Sequence, residues 1–156
     1  MSYRVGIGVD AHALADGVPL VLGGVALAHP RGLAGHSDGD VLAHALTDAL
    51  LGAAGLGDIG SLFPSDDERY RGADSVELLR EAYGHVHDAG WTLVNADCVL
   101  VGEEPRIAAR RDEMRQRLSG ACGGGEVNVR ATTTDGLGFT GRGEGLAAHA
   151  VALLER

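Results

Sequence analysis

Apolar residues recur along this chain at two spacings, every second position and every three to four positions, which predicts a mixture of strands and helices. Strands or hairpins are predicted over residues 3–10, 18–27, 91–101 and 126–134. Helices are predicted over residues 38–54, 73–90, 105–118 and 144–155. Because the two kinds of element alternate without internal repeats, we expect one α/β (α+β) domain, residues 1–156, with a mixed β-sheet packed against helices.

The clearest helical pattern lies at residues 38–54. Its apolar positions form one face, which consists of Val41, Leu42, Ala45, Leu46, Ala49, Leu50 and Ala53. Asp38 precedes them as the expected N-cap. Asp40, His44 and Thr47 fall on another stripe, which is expected to be exposed, so His44 should point away from the core of its own helix. Taken alone, His44 is most simply a half-buried histidine that is hydrogen-bonded to a neighbour.

Composition and charge then limit the classes of protein. The 156 residues are 45% hydrophobic and 22% charged, with a formal net charge of −9, which argues against nucleic acid as a partner. No apolar run is long enough to span a membrane and no signal peptide precedes the first charge, so we expect a cytoplasmic protein without a membrane partner. An acidic protein that binds a polyanion needs metal ions or local arginines. Cys98 and Cys122 lack metal-ligand spacing, and both a pair of buried thiols and a disulfide remain open.

Asp10, His12 and His44 form the first set of residues with a chemical meaning. Residues i and i+2 of an extended segment point to the same side, so Asp10 and His12 can reach one cation. With His44 they give two imidazoles and one carboxylate, the ligand count of a catalytic zinc site with an open fourth position. The alternative is three unrelated polar residues with ordinary hydrogen bonds.

Other stretches contain groups suited to phosphates or hydroxyls. His36 and Ser37 precede a helix start, where free N–H groups can bind an anion. The loop at residues 55–72 is long enough to be expected either functional or mobile. Within it, residues 58–60 can hold vicinal hydroxyls or form only a tight turn. Residues 127–145 run from a strand with three threonines into five glycines, which suits a phosphate cradle or a plain connection. No protein nucleophile stands out, as expected where the substrate supplies its own attacking group.

Four motifs together resemble one known family. They are D-x-H at residues 10–12, H-S-D-G-D-x-x-x-H-A-x-x-D-A-L-L-G-A-A at 36–54, G-D-I-G-x-x-F-P at 57–64 and N-V-x-A-T-T-T-x-x-L-G-F-T-G-R-G-E-G at 128–145. Over essentially its whole length the chain resembles the 2-C-methyl-D-erythritol 2,4-cyclodiphosphate synthases, lyases of non-mevalonate isoprenoid biosynthesis. The resemblance implies a metal-dependent cyclisation of 4-diphosphocytidyl-2-C-methyl-D-erythritol 2-phosphate with release of CMP. It also implies a homotrimer with sheets around a central three-fold axis and active sites shared between subunits.

The resemblance implies residue roles as well. The D-x-H pair and His44 would bind Zn²⁺, and Asp135 would hold a second divalent cation, Mg²⁺ or Mn²⁺. His36 and Thr133 would be catalytic, as transition-state stabilisers. The residues implied to bind substrate or a related ligand are Ser37, Asp58, Ile59, Gly60, Phe63, Pro64, Ser65, Asp66, Asp67, Gly102, Glu103, Glu104, Pro105, Arg106, Ile107, Ala108, Thr132, Thr134, Phe139 and Arg142.

Parts of that set have separate tasks in the family. Asp58 and Gly60 are implied to hold the ribose, and residues 102–108 the cytosine. Phe139 and Arg142 would lie toward an axial cavity that takes isoprenoid diphosphates in some members.

The chain departs from the family pattern at several positions. Ser65 replaces the first acid of an F-P-D-T-D motif that would contact the erythritol hydroxyls, so Asp66 would have to substitute for it. Asp135 replaces the more usual Glu, and Arg106 replaces a Lys with the charge kept. Two other functions stay open: a metal-dependent phosphoesterase that uses the same ligands to activate water, and a non-catalytic trimeric binder of nucleotides or isoprenoid diphosphates.

Overall fold

A computed structural model describes residues 1–156. The strands are β1 (Tyr3–Asp16), β2 (Leu20–Leu22), β3 (Val25–Leu27), β4 (Arg31–Leu33), β5 (Thr92–Val101), β6 (Glu126–Thr132) and β7 (Gly145–Glu155). The helices are α1 (Val41–Ala54), α2 (Ile59–Leu62), α3 (Ser75–Asp88), α4 (Arg111–Ala121) and α5 (Gly138–Gly141), with a 3-10 turn at Glu68–Tyr70. The expected mixed α/β class is therefore confirmed.

A five-stranded mixed sheet in the order β4-β1-β7-β5-β6 forms the centre of the fold. Strand β7 pairs antiparallel with both β1 and β5, and β6 pairs parallel with β5. Helix α1 packs against β1, β7 and β5, with α3 against α1 and α4 against β6. The main core lies between one face of the sheet and these helices. The expected hairpin forms from β2 and β3 as a separate two-stranded sheet.

The expectation of a closing helix at residues 144–155 is wrong, because this segment forms strand β7. Its alternate residues Ala148, Ala150, Ala152 and Leu154 are buried, whereas His149 and Val151 face the other side of the sheet. An alanine- and leucine-rich run satisfies helical spacing as well as alternation, and propensity alone favours a helix. Pairing on both edges of β7 decides the outcome, because it satisfies the backbone groups of the segment in the centre of the sheet.

Two glycines of β1 allow α1 to approach the sheet very closely. A Cβ atom on Gly8 would lie 1.9 Å from the carbonyl oxygen of Ala45, and one on Gly6 would lie 2.0 Å from that of Ala49. Only glycine fits these positions without moving the helix. The alternation of β1 then places Asp10 and His12 on this same face, further along the strand and directed toward the first turn of α1.

Several helices and strands begin or end at other residues than the sequence predicts. Helix α1 begins at Val41 with Asp40, not Asp38, as its N-cap, since Gly39 has a φ of +74° and is not helical. Strand β1 continues beyond residue 10 to Asp16, and β6 stops at Thr132 instead of residue 134. Residues 105–110 precede α4 instead of opening it. The loop at residues 55–72 contains α2 and the 3-10 turn.

Cys98 and Cys122 are free thiols, both completely buried. Burial raises the pKa of each thiol to about 12, which makes them unreactive. No helix combines the length and apolar character needed to cross a bilayer.

Candidate metal centre and its cavity

Asp10, His12 and His44 meet where β1 crosses the first turns of α1, as the sequence predicts. Asp10 Oδ2 lies 3.0 Å from His44 Nδ1 and 3.1 Å from His12 Nε2. The two imidazole nitrogens are 3.3 Å apart. His44 is only 8% exposed, so the expectation that it lies on an exposed stripe is wrong. The segment around Ser75, at the start of α3, covers the stripe that the sequence pattern left open.

The hydrogen bonds of His12 determine which of its nitrogens can bind a cation. His12 Nδ1 lies 2.8 Å from the carbonyl oxygen of Ala34. A carbonyl oxygen only accepts, so Nδ1 carries the proton and the neutral ring presents the lone pair of Nε2 to Asp10 and His44. This is the arrangement expected of a metal-ligating histidine whose second nitrogen is held by the protein.

The electrostatics of the centre favour positive charge. Partial burial acts to raise the pKa of Asp10, but the adjoining His12 and His44 side chains outweigh it and lower that pKa to about 2. The hydrogen bond with Asp10 raises the pKa of His12 above its usual value. A proton is thus attracted to the point where the three groups meet, and a cation can take its place.

The donor set fits a zinc-type ion. One oxygen and two nitrogens all lie within 4.8 Å of one another, and two imidazoles with one carboxylate form a known set for a catalytic zinc ion that keeps one position open. The structure therefore brings together the three ligands of a candidate metal site.

A cavity of about 570 Å³ opens beside this centre. Among the predicted residues it is lined by His36, Ser37, Ile59, Gly60, Phe63, Pro64, Ser65 and Asp66, together with the three metal-type residues. Tyr70 and Leu78 also line it and were missed. Leu78 carries only a helical apolar signal in the sequence, but Tyr70 follows the acidic run of a loop already expected to be functional.

Asp58 and Asp67 do not line this cavity in the single chain. Asp58 caps α2 by accepting the N–H of Ser61 at 2.8 Å, and Asp67 caps the 3-10 turn. His36 Nε2 donates to the backbone carbonyl of Asp67 at 2.8 Å. His36 therefore links the loop at residues 64–70 to the segment that leads into α1, the helix that carries His44.

A second cavity of about 460 Å³ contains most of the other predicted residues. It is lined by Gly102, Glu103, Pro105, Arg106, Ile107, Ala108, Arg111, Ala131, Thr132 and Thr133. Glu104 belongs instead to a smaller cavity of about 250 Å³ that also includes Arg142. His36 and Thr133, the two residues expected to act together, thus lie in different cavities of one chain.

The register of the sheet gives the separation of the two cavities. One row of paired residues runs Asp10, Ala148, Leu100 and Ala131. Its ends are three inter-strand steps apart, roughly 14 Å at about 4.8 Å a step. A single chain therefore presents two partial sites on one side of its sheet.

The expectation that Thr133 and Asp135 lie on a regular strand and share one face of it is wrong. Strand β6 ends at Thr132, and Asp135 has a φ of +53°, within a turn. Thr133 Oγ1 donates to Asp135 Oδ1 at 3.2 Å, so the turn still places the two side chains together. The Thr134 hydroxyl donates to the carbonyl of Leu137 at 2.7 Å, so this side chain is used to hold the turn that follows β6.

Phe139 and Arg142 lie on the segment that leads into β7. Phe139 is 43% exposed. The Arg142 guanidinium forms an ion pair with Glu144 at 3.1 Å. Within one chain these two side chains define no closed pocket between them.

The fold and the centre together define a class of protein: a mixed α/β protein with an Asp-His-His group that could hold a metal ion, beside a cavity whose lining residues are mostly polar. The YgbB family model matches residues 3–155. A 2-C-methyl-D-erythritol 2,4-cyclodiphosphate synthase from Moorella thermoacetica is 59% identical over 97% of this chain and 94% of its own length. The synthase of the same name from Rubrobacter xylanophilus is 60% identical over 99% and 96%.

A solved structure of such a synthase in a CDP-bound form superimposes with a TM-score of 0.88 at 41% identity, over 97% of this chain and 100% of that one. The chain belongs to the YgbB family, which makes it an enzyme of the lyase class to which these synthases belong.

Proposed function

We propose that this enzyme converts 4-diphosphocytidyl-2-C-methyl-D-erythritol 2-phosphate to 2-C-methyl-D-erythritol 2,4-cyclodiphosphate and CMP. An oxygen of the 2-phosphate attacks the β-phosphorus, and the bond from that phosphorus to the CMP oxygen breaks with its electron pair leaving on CMP. The observation that carries the proposal is the convergence of Asp10, His12 and His44 in the wall of a cavity whose lining residues are mostly polar, in a chain 59% identical to a named synthase.

Charge is the main obstacle to this reaction, because three phosphate groups crowd together in a chain of net charge −9. Zinc at the Asp-His-His centre and Mg²⁺ or Mn²⁺ at Asp135 would supply positive charge to the phosphate oxygens. His36 and Thr133 lie in the two cavities and would stabilise the charge that develops in the transition state. The remaining residues hold both ends of the substrate, so that cyclisation becomes a matter of proximity.

The two partial sites favour assembly of a homotrimer. The sheet face opposite α1 carries an apolar patch in which Val5, Ile7 and Val9 are 69%, 66% and 56% exposed and Val151 is 45% exposed. An exposed apolar face on a regular sheet is typical of an interface. We infer that three copies pack these faces around a central axis and that the first cavity of one subunit meets the second cavity of its neighbour.

The nucleotide would then bridge the two cavities. Asp58 and Gly60 hold the ribose hydroxyls, and residues 102–108, with Arg106 in place of the usual Lys, surround the cytosine. The CDP in the related synthase structure supports a cytidine ligand. Phe139 and Arg142 would face the axial cavity of the trimer, where an isoprenoid diphosphate would meet the guanidinium.

Asp66 takes over the contact with the erythritol hydroxyls that Ser65 is too short to make. Both residues line the first cavity. Asp66→Asn should therefore raise the KM for the substrate with a small change in kcat, since the contact is made equally in ground and transition states.

Phosphorus NMR of the product tests the main proposal. With zinc and magnesium present, the wild-type chain should give the cyclic diphosphate and CMP, and His44→Ala should give neither while remaining a trimer by light scattering. A hydrolysed, open diphosphate would instead identify a phosphoesterase. Binding of CDP without turnover would identify a non-catalytic binder, and a stable, active monomer would refute the shared site.

A further inference from the structure

A chain of hydrogen bonds from buried Ser75 to half-buried Asp38 lies behind His44, on the side of the ring opposite the metal centre. His44 Nε2 lies 2.7 Å from Ser75 Oγ, and Ser75 Oγ lies 2.5 Å from Asp38 Oδ1. The other carboxylate oxygen of Asp38 accepts the backbone N–H of Ser75 at 3.0 Å. Ser75 is completely buried at the start of α3, so water does not compete for its hydroxyl.

The direction of these bonds follows from the chemistry of the groups. An ionised carboxylate only accepts, and a serine hydroxyl has one proton. That proton goes to Asp38, so the Ser75 oxygen must accept from His44 Nε2. The neutral His44 ring therefore carries its proton on Nε2 and presents the lone pair of Nδ1 to Asp10 and His12.

Ser37 does not change this direction. Its Oγ lies 3.1 Å from His44 Nε2, farther than the Ser75 oxygen. It also lines the cavity, so its proton can point toward a ligand there.

We propose that Ser75 and Asp38 are positioning residues of the metal centre, which set the tautomer and orientation of His44 so that Nδ1 is the ligating atom. The inference rests on the proposed function in that the centre must hold a metal. His12 is fixed in the same way by the Ala34 carbonyl. Losing such an outer partner of a metal-ligating histidine typically costs about 10–100-fold in metal affinity.

Asp38→Asn is the most informative variant, because it keeps a polar side chain at each position of the hydrogen-bonded series and reverses the direction of the bonds. The amide oxygen would accept the Ser75 N–H, and the amide NH₂ would donate to Ser75 Oγ. The NH₂ group would at the same time lose the bond that Asp38 Oδ1 accepts from the Asp40 N–H at 3.1 Å. The Ser75 hydroxyl would then donate to His44 Nε2, which moves the ring proton to Nδ1 and into the metal centre. Ser75→Ala removes the link and leaves the tautomer unfixed.

Asp74→Ala is the matched control. Asp74 caps the same helix by accepting the N–H of Val76 at 2.9 Å, so its loss weakens the start of α3 without touching His44. A merely structural role of Ser75 and Asp38 would make all three variants alike.

The experiment measures the zinc dissociation constant by competition with a chromogenic chelator, and the His44 tautomer of the metal-free protein by long-range ¹H–¹⁵N correlation. Both Asp38→Asn and Ser75→Ala should weaken zinc binding by about 10–100-fold, while Asp74→Ala changes it less than about twofold. The wild type should show a protonated Nε2, and Asp38→Asn a protonated Nδ1.

Zinc affinities within twofold of the wild type in Asp38→Asn and Ser75→Ala would overturn the inference, as would a wild type protonated at Nδ1. A wild type that binds no zinc would refute the metal in the proposed function, and the tautomer comparison would still decide the direction of the hydrogen bonds.

Discussion

The close approach of α1 to β1 makes the metal centre sensitive to a single methyl group at Gly8. A Cβ atom there would lie 1.9 Å from the Ala45 carbonyl oxygen, whereas such contacts are essentially never shorter than 3.0 Å. In Gly8→Ala the helix must therefore withdraw by about 1 Å. His44 precedes Ala45, so its Nδ1 moves by a similar amount away from Asp10 Oδ2, 3.0 Å distant in the wild type.

A shift of about 1 Å far exceeds the roughly 0.2 Å within which ligand distances in a metal site agree with ideal values. Gly8→Ala should therefore weaken zinc binding by about 100-fold, the upper end of the loss that follows when the support of a ligand is removed. The overpacking itself should lower the free energy of unfolding by about 3 kcal/mol, the upper end of the usual range, because the clash is with backbone. Urea unfolding and zinc competition measure the two effects.

Gly52→Ala, on the same helix, controls for glycine replacement in general. A Cβ there has nothing within 4 Å, so this variant should gain about 0.5–1 kcal/mol from helix propensity and bind zinc as the wild type does. If Gly8→Ala kept zinc affinity within about threefold of the wild type, the argument that this approach positions His44 would be wrong.

Four further predictions concern Asp40, His12, Thr133 and Asp135. Asp40 is completely buried and accepts three backbone N–H groups, so Asp40→Ala should lower the free energy of unfolding by about 3 kcal/mol or more, read from the urea midpoint at unchanged m. The raised pKa of His12 means that a proton competes with zinc, so zinc affinity in competition assays should fall up to about tenfold per unit as pH drops below that pKa. Thr133→Val should lower kcat about 100-fold with unchanged CDP binding, and a change in KM alone would contradict its role in the transition state. Asp135→Asn should raise the magnesium concentration needed for half-maximal rate, and an unchanged magnesium dependence would contradict its role as a cation ligand.

The pH dependence of the metal-free protein follows from the same pair of groups. The pKa of Asp10 is lowered to about 2, so its contribution to stability is present above the ordinary value near 3.8 and is lost as pH falls toward 2. The pKa of His12 is raised from 6.5, so its contribution is complete below 6.5 and is lost as pH rises through the raised value. The pair therefore stabilises the metal-free fold most between pH 3.8 and 6.5.

Local patterns predicted the parts of the site that depend on one element. The i, i+2 relation of Asp10 and His12 needs only an extended backbone, and it holds in β1. The burial of His44 was missed because another element, the start of α3, covers that stripe of α1. Ser75 carries no chemical signal of its own in the sequence, since a serine at a helix start is ordinary capping chemistry.

The segment that became β7 shows the other limit. Its alanines and leucines fit both periods, and what selects the strand is the pairing with β1 and β5, which are distant in sequence. The same pairing brings Asp10 and Ala131 onto one row of the sheet. Without β7 as a strand, neither the position of the second cavity nor its separation from the metal centre can be derived from the sequence.

The ligand set also explains how an acidic chain can bind a polyphosphate at this point. A divalent ion held by one carboxylate and two neutral imidazoles keeps a net charge of about +1, whereas an all-carboxylate set would cancel or reverse it. That outcome requires both histidines to stay neutral with lone pairs directed inward. The Ala34 carbonyl fixes the proton of the neutral His12 ring on Nδ1, and Ser75 with Asp38 would fix that of the neutral His44 ring on Nε2. The residues behind the ligands therefore orient the two nitrogen lone pairs on which binding of such an ion depends.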